Sequence, residues 1–461
     1  MLTRRSRRRR SRYALPRQAR LAITIAVLAL IILGIVFAVR GCRGRPAGQP
    51  EPEGTPGIQA TPEPELTPEP ELTPEPEPTP EPEATPEPRP AYTPDAELMA
   101  KSLPFGERSA VIRSIGDIVM HVPLLRGAYS KQTKTYDFSP YFSRIKASME
   151  QADYTVINVD GPLGGRKFGS GSYKGYPQFN TPPVLLNTLA DCGVDMLTLA
   201  NNHALDTYYD GLVATIDNVD KVGLDHVGAY RSQQERDTPK VVLINGIRVG
   251  FGNYTVSTNN MSKRSDPAAT QYGLGMVSNS NAPLDIRRMR EAGAEIVVMY
   301  MHWGEEYERS VQKAVKSIAS KLVAAGADVV IGGHQHVVLP CEYLTASDEA
   351  GEPRTGLVLY GMGNFLSDQR QRYRDSGIIF EITLRDDPAA GAVVVENPRY
   401  IPTYVQRIKG ESAYDYRVWP VGKAIEEAPG TIPAGVLDRM KQVWKEQAAI
   451  FEGGPATAAK S

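Results

Sequence analysis

The sequence predicts an α/β fold in which two packed β-sheets are flanked by helices, preceded by one transmembrane helix and a disordered Pro/Glu linker. Three observations predict this arrangement. Short β-branched runs alternate with segments of helical spacing, as in parallel βαβ units. An apolar run near the N-terminus is long enough to cross a bilayer. The proline- and glutamate-rich stretch after it has too few apolar residues to fold.

The N-terminal segment predicts a single-pass membrane anchor. Residues 1–20 form a basic tail rich in arginine, and Leu21–Val39 is an uncharged apolar run. At 1.5 Å per residue that run spans about 30 Å, the thickness of the bilayer core. The arginine excess precedes the run, so we expect a cytoplasmic N-terminus and an extracellular main domain at the cell membrane. The alternatives are a nucleic-acid-binding arm, which the apolar run disfavours, and a cleaved signal peptide.

Residues 40–97 are predicted to be a disordered linker. From Thr61 the linker repeats Thr-Pro-Glu-Pro-Glu-Leu, and alternating proline with like charges favours an extended chain, about 150 Å long over Pro46–Pro94. The folded domain is expected over 98–453, with a disordered tail at 454–461. The chain has 3 cysteines, a number that argues against a disulfide framework, and Cys192 and Cys341 are expected to be free. The formal net charge of -1 is the sum of an arginine-rich first segment and a glutamate-rich second one, so the total charge says nothing about a partner.

The elements of the domain follow from residue periodicity. Gly223 suits a helix C-cap, and Asn245-Gly246 is a strong hairpin signal between two apolar runs. Strands are predicted at 110–115, 154–158, 196–200, 241–243, 247–251, 295–301, 327–331, 357–360, 378–383 and 393–396. Helices are predicted at 141–151, 183–192, 211–222, 284–292, 311–325 and 434–451. The last three strands are expected in a second sheet packed on the first.

Histidines concentrate where strands end. Of 6 histidines, five follow predicted strands and only His226 does not, so it is interpreted as structural. Two of the five lie in Gly332-Gly333-His334-Gln335-His336, where an extended backbone would aim both imidazoles the same way. Carboxylates and an amide join them at strand ends, and the set suits one or two divalent metal ions, Mn, Zn or Fe. The histidines, carboxylates and amide in question are His121, His203, His302, His334, His336, Asp117, Asp160 and Asn202.

These motifs resemble the capsule-synthesis CapA family, which is associated with poly-γ-glutamate production and a calcineurin-like metallophosphoesterase fold. The resemblance covers 110–384. Six motifs carry it in order: Gly116-Asp117, Asn158-Val159-Asp160-Gly161-Pro162, Asn201-Asn202-His203-Ala204-Leu205-Asp206, His302-Trp303-Gly304-Glu305-Glu306-Tyr307, Gly333-His334-Gln335-His336-Val337 and Gly363-Asn364-Phe365.

The resemblance implies roles for the matching residues. Asp160 would be the bridging carboxylate, and His203 would face the substrate as acid or electrostatic stabiliser. The metal ligands implied are Asp117, Asp160, Asn202, His302, His334 and His336. The sequence departs from the pattern in two places: three residues separate Asp117 from His121 instead of one, and CapA proteins usually have glutamate at the position of Asp160.

Three further residues are candidates for the cleft: His121, Glu306 and Asn364. Two functions follow from the resemblance and the ligand set. One is a cell-surface metal-dependent hydrolase of phosphoester or related bonds. The other is a non-catalytic accessory subunit of surface-polymer synthesis or export that keeps the fold. Either would have the membrane and a cell-surface polymer or capsule-synthesis subunits as partners.

Overall fold

The computed structural model describes residues 96–169, 171–279, 281–427 and 430–461. Within them the chain forms two β-sheets packed face to face, with helices on both outer faces. The predicted α/β sandwich flanked by helices is therefore confirmed. The basic tail, Leu21–Val39 and the linker up to residue 95 lie outside the described residues. In the part of the chain that is described, no helix is long and apolar enough to span a membrane.

The strands of the described residues are, in chain order, β1 (Ser109–Val119), β2 (Tyr129–Ser130), β3 (Thr135–Tyr136), β4 (Tyr154–Asp160), β5 (Met196–Thr198), β6 (Asp225–Val227), β7 (Lys240–Ile244), β8 (Ile247–Thr255), β9 (Ile296–His302), β10 (Val329–Gly333), β11 (Val338–Ser347), β12 (Pro353–Met362), β13 (Asn364–Leu366), β14 (Ser376–Asp387), β15 (Ala392–Lys409), β16 (Tyr414–Pro420) and β17 (Thr457–Ala458). The α-helices are α1 (Ala96–Lys101), α2 (Val122–Ala128), α3 (Ser139–Phe142), α4 (Lys146–Met149), α5 (Val184–Asp191), α6 (Tyr208–Val222), α7 (Gln233–Asp237), α8 (Ala282–Glu291), α9 (Lys313–Ala324), α10 (Val421–Glu427) and α11 (Ala434–Phe451).

The two sheets divide the strands differently from the prediction. The first sheet has the order β16-β15-β14-β1-β4-β5-β6, and the second has the order β11-β12-β10-β9-β8-β7. In the first sheet β1, β4, β5 and β6 are parallel, and β14 adds antiparallel to β1. The prediction that the last three strands share the second sheet is wrong for two of them. Both β14 and β15 return to the first sheet, and the second is built instead on parallel β8, β9, β10 and β12.

Three apolar layers hold the sandwich together. The layer between the sheets contains Ile112 and Val156 from the first sheet and Val298 and Val329 from the second, all fully buried. The outer face of the first sheet packs on α2 to α6, and that of the second packs on α8 and α9. The final helix ends at Phe451, whose ring stacks 4.0 Å from that of Tyr400 on β15. Burial on both sheet faces accounts for the continuous apolar strands in the sequence.

Local predictions meet mixed outcomes. The Asn245-Gly246 hairpin is confirmed, with both residues at positive φ of 46° and 81° as a tight hairpin turn requires. The predicted helix 141–151 is instead two short helices, α3 and α4. The predicted disordered tail 454–461 is wrong, because β17 pairs in parallel with β15. Cys192 and Cys341 are free and buried, as expected.

A backbone irregularity near the end of β1 sets the position of the first candidate ligand. The pairing of β1 with β4 shifts register between Ile115 and Ile118. Gly116 allows β1 to approach the segment before β13 closely, since a Cβ there would lie 2.4 Å from the main-chain oxygen of Gly363. Asp117 then pairs with Asn364 of β13. The prediction ended the strand before Asp117, whereas β1 continues through it to Val119.

Candidate metal centre

Polar side chains from both sheets meet where the carboxyl ends of their parallel strands come together. Asp117 and Asp160 lie near the ends of β1 and β4, and His302 ends β9. The loop after β10 brings His334, whose main-chain nitrogen donates to Asp117 Oδ2 at 3.1 Å and so joins the sheets. The candidate site therefore lies at the junction of the two sheets.

Asp117 is a fully engaged carboxylate. Its Oδ1 accepts a hydrogen bond from Asn158 Nδ2 at 2.8 Å, and its Oδ2 lies 3.5 Å from His336 Nδ1. Burial alone would raise the pKa of Asp117, but the neighbouring His336 and His302 outweigh burial and lower that pKa to about 2. Asp117 is therefore ionised at neutral pH.

Asp160 has the opposite character. Its side chain is 0 % exposed, and neither carboxylate oxygen has a hydrogen-bond partner in the described part of the chain. Oδ1 lies 3.8 Å from His302 Nε2, and Oδ2 lies 3.9 Å from His336 Nε2. Burial raises the pKa of Asp160 to about 6, in spite of the nearby His203 and His336. A buried carboxylate without partners is costly to the fold unless a proton or a cation compensates its charge.

The imidazoles of His302 and His334 are in the form that binds metals. His302 Nε2 lies 2.8 Å from Asn202 Oδ1 and 3.2 Å from His334 Nδ1. Burial lowers the pKa of His302 well below its usual range, and burial with the nearby His336 lowers the pKa of His334 to about 4. Neutral imidazole is the ligand form, so no proton has to leave before a cation binds.

The loop that carries His334 and His336 is not extended, which corrects the prediction that both imidazoles point the same way. Both residues have left-handed backbones, with φ of 88° and 58°. Gly332 allows the close approach before them, because a Cβ there would lie 2.1 Å from the oxygen of Tyr360. Strained backbone of this kind persists only where packing enforces it, and it clusters at functional sites.

His203 forms a pair with a residue that the sequence prediction left without a role. Its Nδ1 lies 2.7 Å from Asp206 Oδ2, which also accepts from the main-chain nitrogen of Phe179 at 2.7 Å. On its other side, His203 Nε2 lies 3.4 Å from the amide nitrogen of Asn259. Burial disfavours the charged imidazole, but Asp206 and Asp160 outweigh burial and raise the pKa of His203. The arrangement orients the ring and favours its protonated form.

The three cleft candidates take different places. His121 is half-buried, accepts from the main-chain nitrogen of Asp368 at 3.3 Å and makes no described contact with Asp117. Glu306 is exposed, yet its charge contributes to raising the pKa of His203 and His336. His121 and Glu306 therefore lie at the rim of the centre.

Asn364 is fully buried directly beside Asp117, and its Nδ2 donates to Gln369 Oε1 at 3.0 Å and to the oxygen of Arg374 at 2.8 Å. Asn364 thus fixes the 367–375 loop next to the centre. That loop carries a cation which the sequence prediction missed. The guanidinium carbon of Arg374 lies 3.3 Å over the ring of Tyr307, and that ring lies 5.9 Å from His336. Among the residues described, the guanidinium makes no hydrogen bond or ion pair.

The donor set fits a divalent cation. The 3.5, 3.8 and 3.9 Å gaps between carboxylate oxygens and imidazole nitrogens are too long for hydrogen bonds. Two ligands that share one ion at about 2.1 Å each are separated by about 3–4 Å. Within the described chain, however, no group of three or more His, Cys, Asp and Glu side chains already stands in a formed metal geometry. His302 and His334 contact each other instead. The donor set nevertheless suits a cation, because both buried carboxylate oxygens of Asp160 have no hydrogen-bond partner among the described residues.

Comparison with known sequences gives a consistent result. Residues 111–369 match the family described as bacterial capsule synthesis protein PGA_cap. The PGA biosynthesis protein CapA of Bacillus subtilis is 26% identical over 326 residues, 66% of this chain and 79% of that protein. The capsule biosynthesis protein CapA of Bacillus anthracis is 27% identical over 289 residues, 60% of this chain and 64% of that protein. A probable polyglutamine synthesis accessory protein of Mycobacterium tuberculosis is 24% identical over 272 residues, 56% of this chain and 66% of that protein.

Solved structures give a weaker likeness. A calcineurin-like phosphoesterase from Bacillus subtilis has a TM-score of 0.39 at 15% identity, covering 75% of this chain and 99% of that one. A 5'-nucleotidase from Candida albicans has a TM-score of 0.33 at 12% identity, covering 65% and 52%. Both TM-scores lie well below those of closely similar folds.

Proposed function

Because the chain belongs to the PGA_cap family of bacterial capsule synthesis proteins, we propose that it is a metal-dependent hydrolase of phosphoester or related bonds in surface-polymer biosynthesis. The polymer is of the poly-γ-glutamate type that the resemblance to CapA proteins implies, and the Bacillus subtilis relative is named a PGA biosynthesis protein. One observation carries the catalytic part of the proposal: the buried Asp160 carboxylate has two unpartnered oxygens that face His302 and His336.

Six residues would hold the metal: Asp117, Asp160, Asn202, His302, His334 and His336. When bound, one or two divalent ions, Mn, Zn or Fe, would supply Lewis-acid polarisation of an ester oxygen and make water a better nucleophile. The chain itself prepares the ligands for this. Asn158 and the main chain of His334 fix the Asp117 carboxylate, and burial keeps His302 neutral.

His203 supplies the proton for the leaving group. Asp206 holds Nδ1 and stabilises the charged ring, so the proton at Nε2 is available to an ester oxygen that loses its bond. Arg374 supplies a fixed positive charge on the His336 side. Its guanidinium lies on Tyr307 with no carboxylate partner among the described residues, and so suits an anionic oxygen of the substrate.

Turnover and metal content together test the catalytic proposal. We expect the metal-loaded full-length protein to hydrolyse bis(p-nitrophenyl) phosphate or p-nitrophenyl phosphate. His203→Gln should lose about 10²–10⁴-fold in kcat while it keeps its metal. His226→Gln is the matched control, because His226 lies on β6 beside Asp220, away from the centre. This variant should keep both its metal and its turnover.

The alternative function is a non-catalytic accessory subunit of polymer synthesis or export. Two observations favour it: the direct contact of His302 with His334, and the word "accessory" in the name of the mycobacterial relative. A wild-type protein with full metal content and no turnover of any phosphoester would establish this alternative over hydrolysis.

We further propose that the domain is extracellular, anchored by one helix over Leu21–Val39, and works with capsule-synthesis subunits and not with nucleic acid. The arginine asymmetry around the apolar run supports this topology. Protease added to intact cells should cut the Pro/Glu linker and release the domain. A domain that stays protected until the cells are lysed would contradict the topology.

A further inference from the structure

A groove beside the metal centre has the chemistry of a ligand site. It has a volume of about 720 Å³, and its lining includes Arg126, Tyr129, Lys131, Tyr136 and Tyr173. A second cavity of about 270 Å³ continues it, since Arg126, Ser412 and Ala413 line both. The volume of the groove is in the range of sites that enclose small ligands or short pieces of a chain.

Three tyrosines form one wall of the groove. Tyr129 and Tyr136 are paired across the β2–β3 hairpin with ring centroids 5.0 Å apart, and Tyr173 meets Tyr136 edge-on at 5.5 Å. All three are only half-buried, so apolar ring surface and hydroxyl groups remain accessible. A clustered, partly exposed aromatic wall offers flat apolar contact together with hydrogen bonding.

Among the described residues, the three cations that line the groove and its continuation have no carboxylate partner. Arg126, Lys131 and Lys409 make no ion pair among the described residues, and the guanidinium of Arg166 lies 5.4 Å over the ring of Tyr173. Glu411 is the acidic residue that lines the smaller cavity.

The charged residues that line the two cavities are Arg126, Lys131, Lys409 and Glu411. The three cations outnumber the one carboxylate, so the lining carries a surplus of positive charge, which suits an anionic ligand.

The groove leads toward the centre. Val122 lines it and directly follows His121, whose ring contacts Phe179 at 5.9 Å. Phe179 in turn contacts the ring of His203 at 4.7 Å. A chain molecule that lies in the groove would thus have its next unit at the rim of the centre.

We propose that this groove binds an anionic polysaccharide, a chain of sugar rings that carry carboxylate or phosphate groups. The unpaired cations match the anionic groups, and the tyrosine wall matches the apolar face and the hydroxyls of a sugar ring. A polyglutamate chain would use the cations but has no ring to place on the tyrosines. The proposal goes beyond the proposed function and needs neither metal nor turnover.

Binding to the metal-free full-length protein tests the proposal. The probes are a fluorescein-labelled oligogalacturonate, an uncharged maltooligosaccharide and an oligoglutamate of the same charge as the first. The variant Arg126→Gln with Lys131→Gln should bind oligogalacturonate at least about tenfold more weakly, because it loses two charged contacts. Lys313→Gln with Lys445→Gln removes the same charge from exposed positions elsewhere and should change affinity less than about twofold.

The variant Tyr173→Ala distinguishes binding of a polysaccharide from binding of a polypeptide. It should weaken oligogalacturonate several-fold and leave oligoglutamate unchanged, and an unaltered melting temperature would show that the variant folds. Equal affinities for the two anionic probes with no effect of Tyr173→Ala would overturn the proposal in favour of a polypeptide ligand. The proposal would also be overturned if oligogalacturonate bound no more tightly than the uncharged probe. Equal losses of oligogalacturonate affinity in the groove variant and the control variant would overturn it too.

Discussion

Replacing Asp160 with asparagine should stabilise the metal-free protein while removing its response to metal. The carboxylate is fully buried with both oxygens unpartnered. Asparagine keeps a polar side chain there but carries no charge, so the substitution removes the extra cost of a buried, unpaired charge; an unsatisfied buried group costs about 1–3 kcal/mol, and more when it is charged. A pKa raised from 3.8 to about 6 corresponds to about 3 kcal/mol at neutral pH, which agrees with the upper end of that range. We therefore expect Asp160→Asn to raise the free energy of unfolding of the metal-free protein by about 1–3 kcal/mol.

The sign of the pH dependence follows from the raised pKa. The ionised carboxylate destabilises the fold fully above about pH 6, and this destabilisation disappears as the pH falls toward about 4. The advantage of Asp160→Asn over the wild type should therefore shrink in the same interval. Added divalent metal should stabilise the wild type and leave the variant unchanged.

Urea denaturation of metal-stripped full-length protein measures this difference. Asp375→Asn is a matched control, because Asp375 is also buried but accepts from Arg439 at 2.7 and 2.9 Å. The free energy of unfolding of this control variant should fall by about 1–3 kcal/mol, because the Arg439 guanidinium loses its charged partner. If Asp160→Asn lost stability to the same extent, the carboxylate would already be satisfied without a cation, and the reasoning would be refuted.

Three further predictions concern single side chains. Asp206→Asn should lower kcat about 10–100-fold and move the alkaline limb of its pH profile to lower pH, because the pKa of His203 is no longer raised. The partner Arg108 lowers the pKa of Asp386 to about 2. Above about pH 4 this ion pair contributes about 2 kcal/mol to the free energy of unfolding, and the contribution is lost as the pH falls toward 2. Asp386→Asn should therefore remove this part of the acid denaturation curve. Arg374→Gln should raise KM for anionic substrates about tenfold with little change in kcat, and an equal rise for a neutral substrate would contradict its role.

Ten of the described strands, and the candidate residues that follow several of them, could be predicted because their signals are local, whereas β2, β3, β6, β11, β13, β16 and β17 were not predicted. The β-branched run Val329–Ile331 followed by two glycines and two histidines identifies a strand end, and the same pattern recurs at His302. The assignment of each strand to one of the two sheets was not predictable, because strands that are buried on both faces have the same apolar pattern in either sheet. The return of β14 beside β1 depends on long-range pairing that no local pattern reports.

The finer geometry of the site also lay beyond the sequence. The left-handed backbones of His334 and His336 are imposed by packing of the loop against Asp117, and not by residue type. Asp206 stands three residues after His203 in the quoted motif, a spacing that brings the two side chains together in one turn of chain, and that was the available signal. Arg374 had no signal, since its contact with Tyr307 joins distant loops.

Metal binding to the stripped full-length protein tests the central claim most directly. Isothermal titration calorimetry with Mn²⁺ or Zn²⁺ at neutral pH should show one or two ions bound per chain. His336→Ala should lose most of this binding, whereas His226→Ala should retain it. A stripped wild-type protein that binds neither ion, or a His336→Ala variant that binds them as tightly as the wild type, would contradict the account.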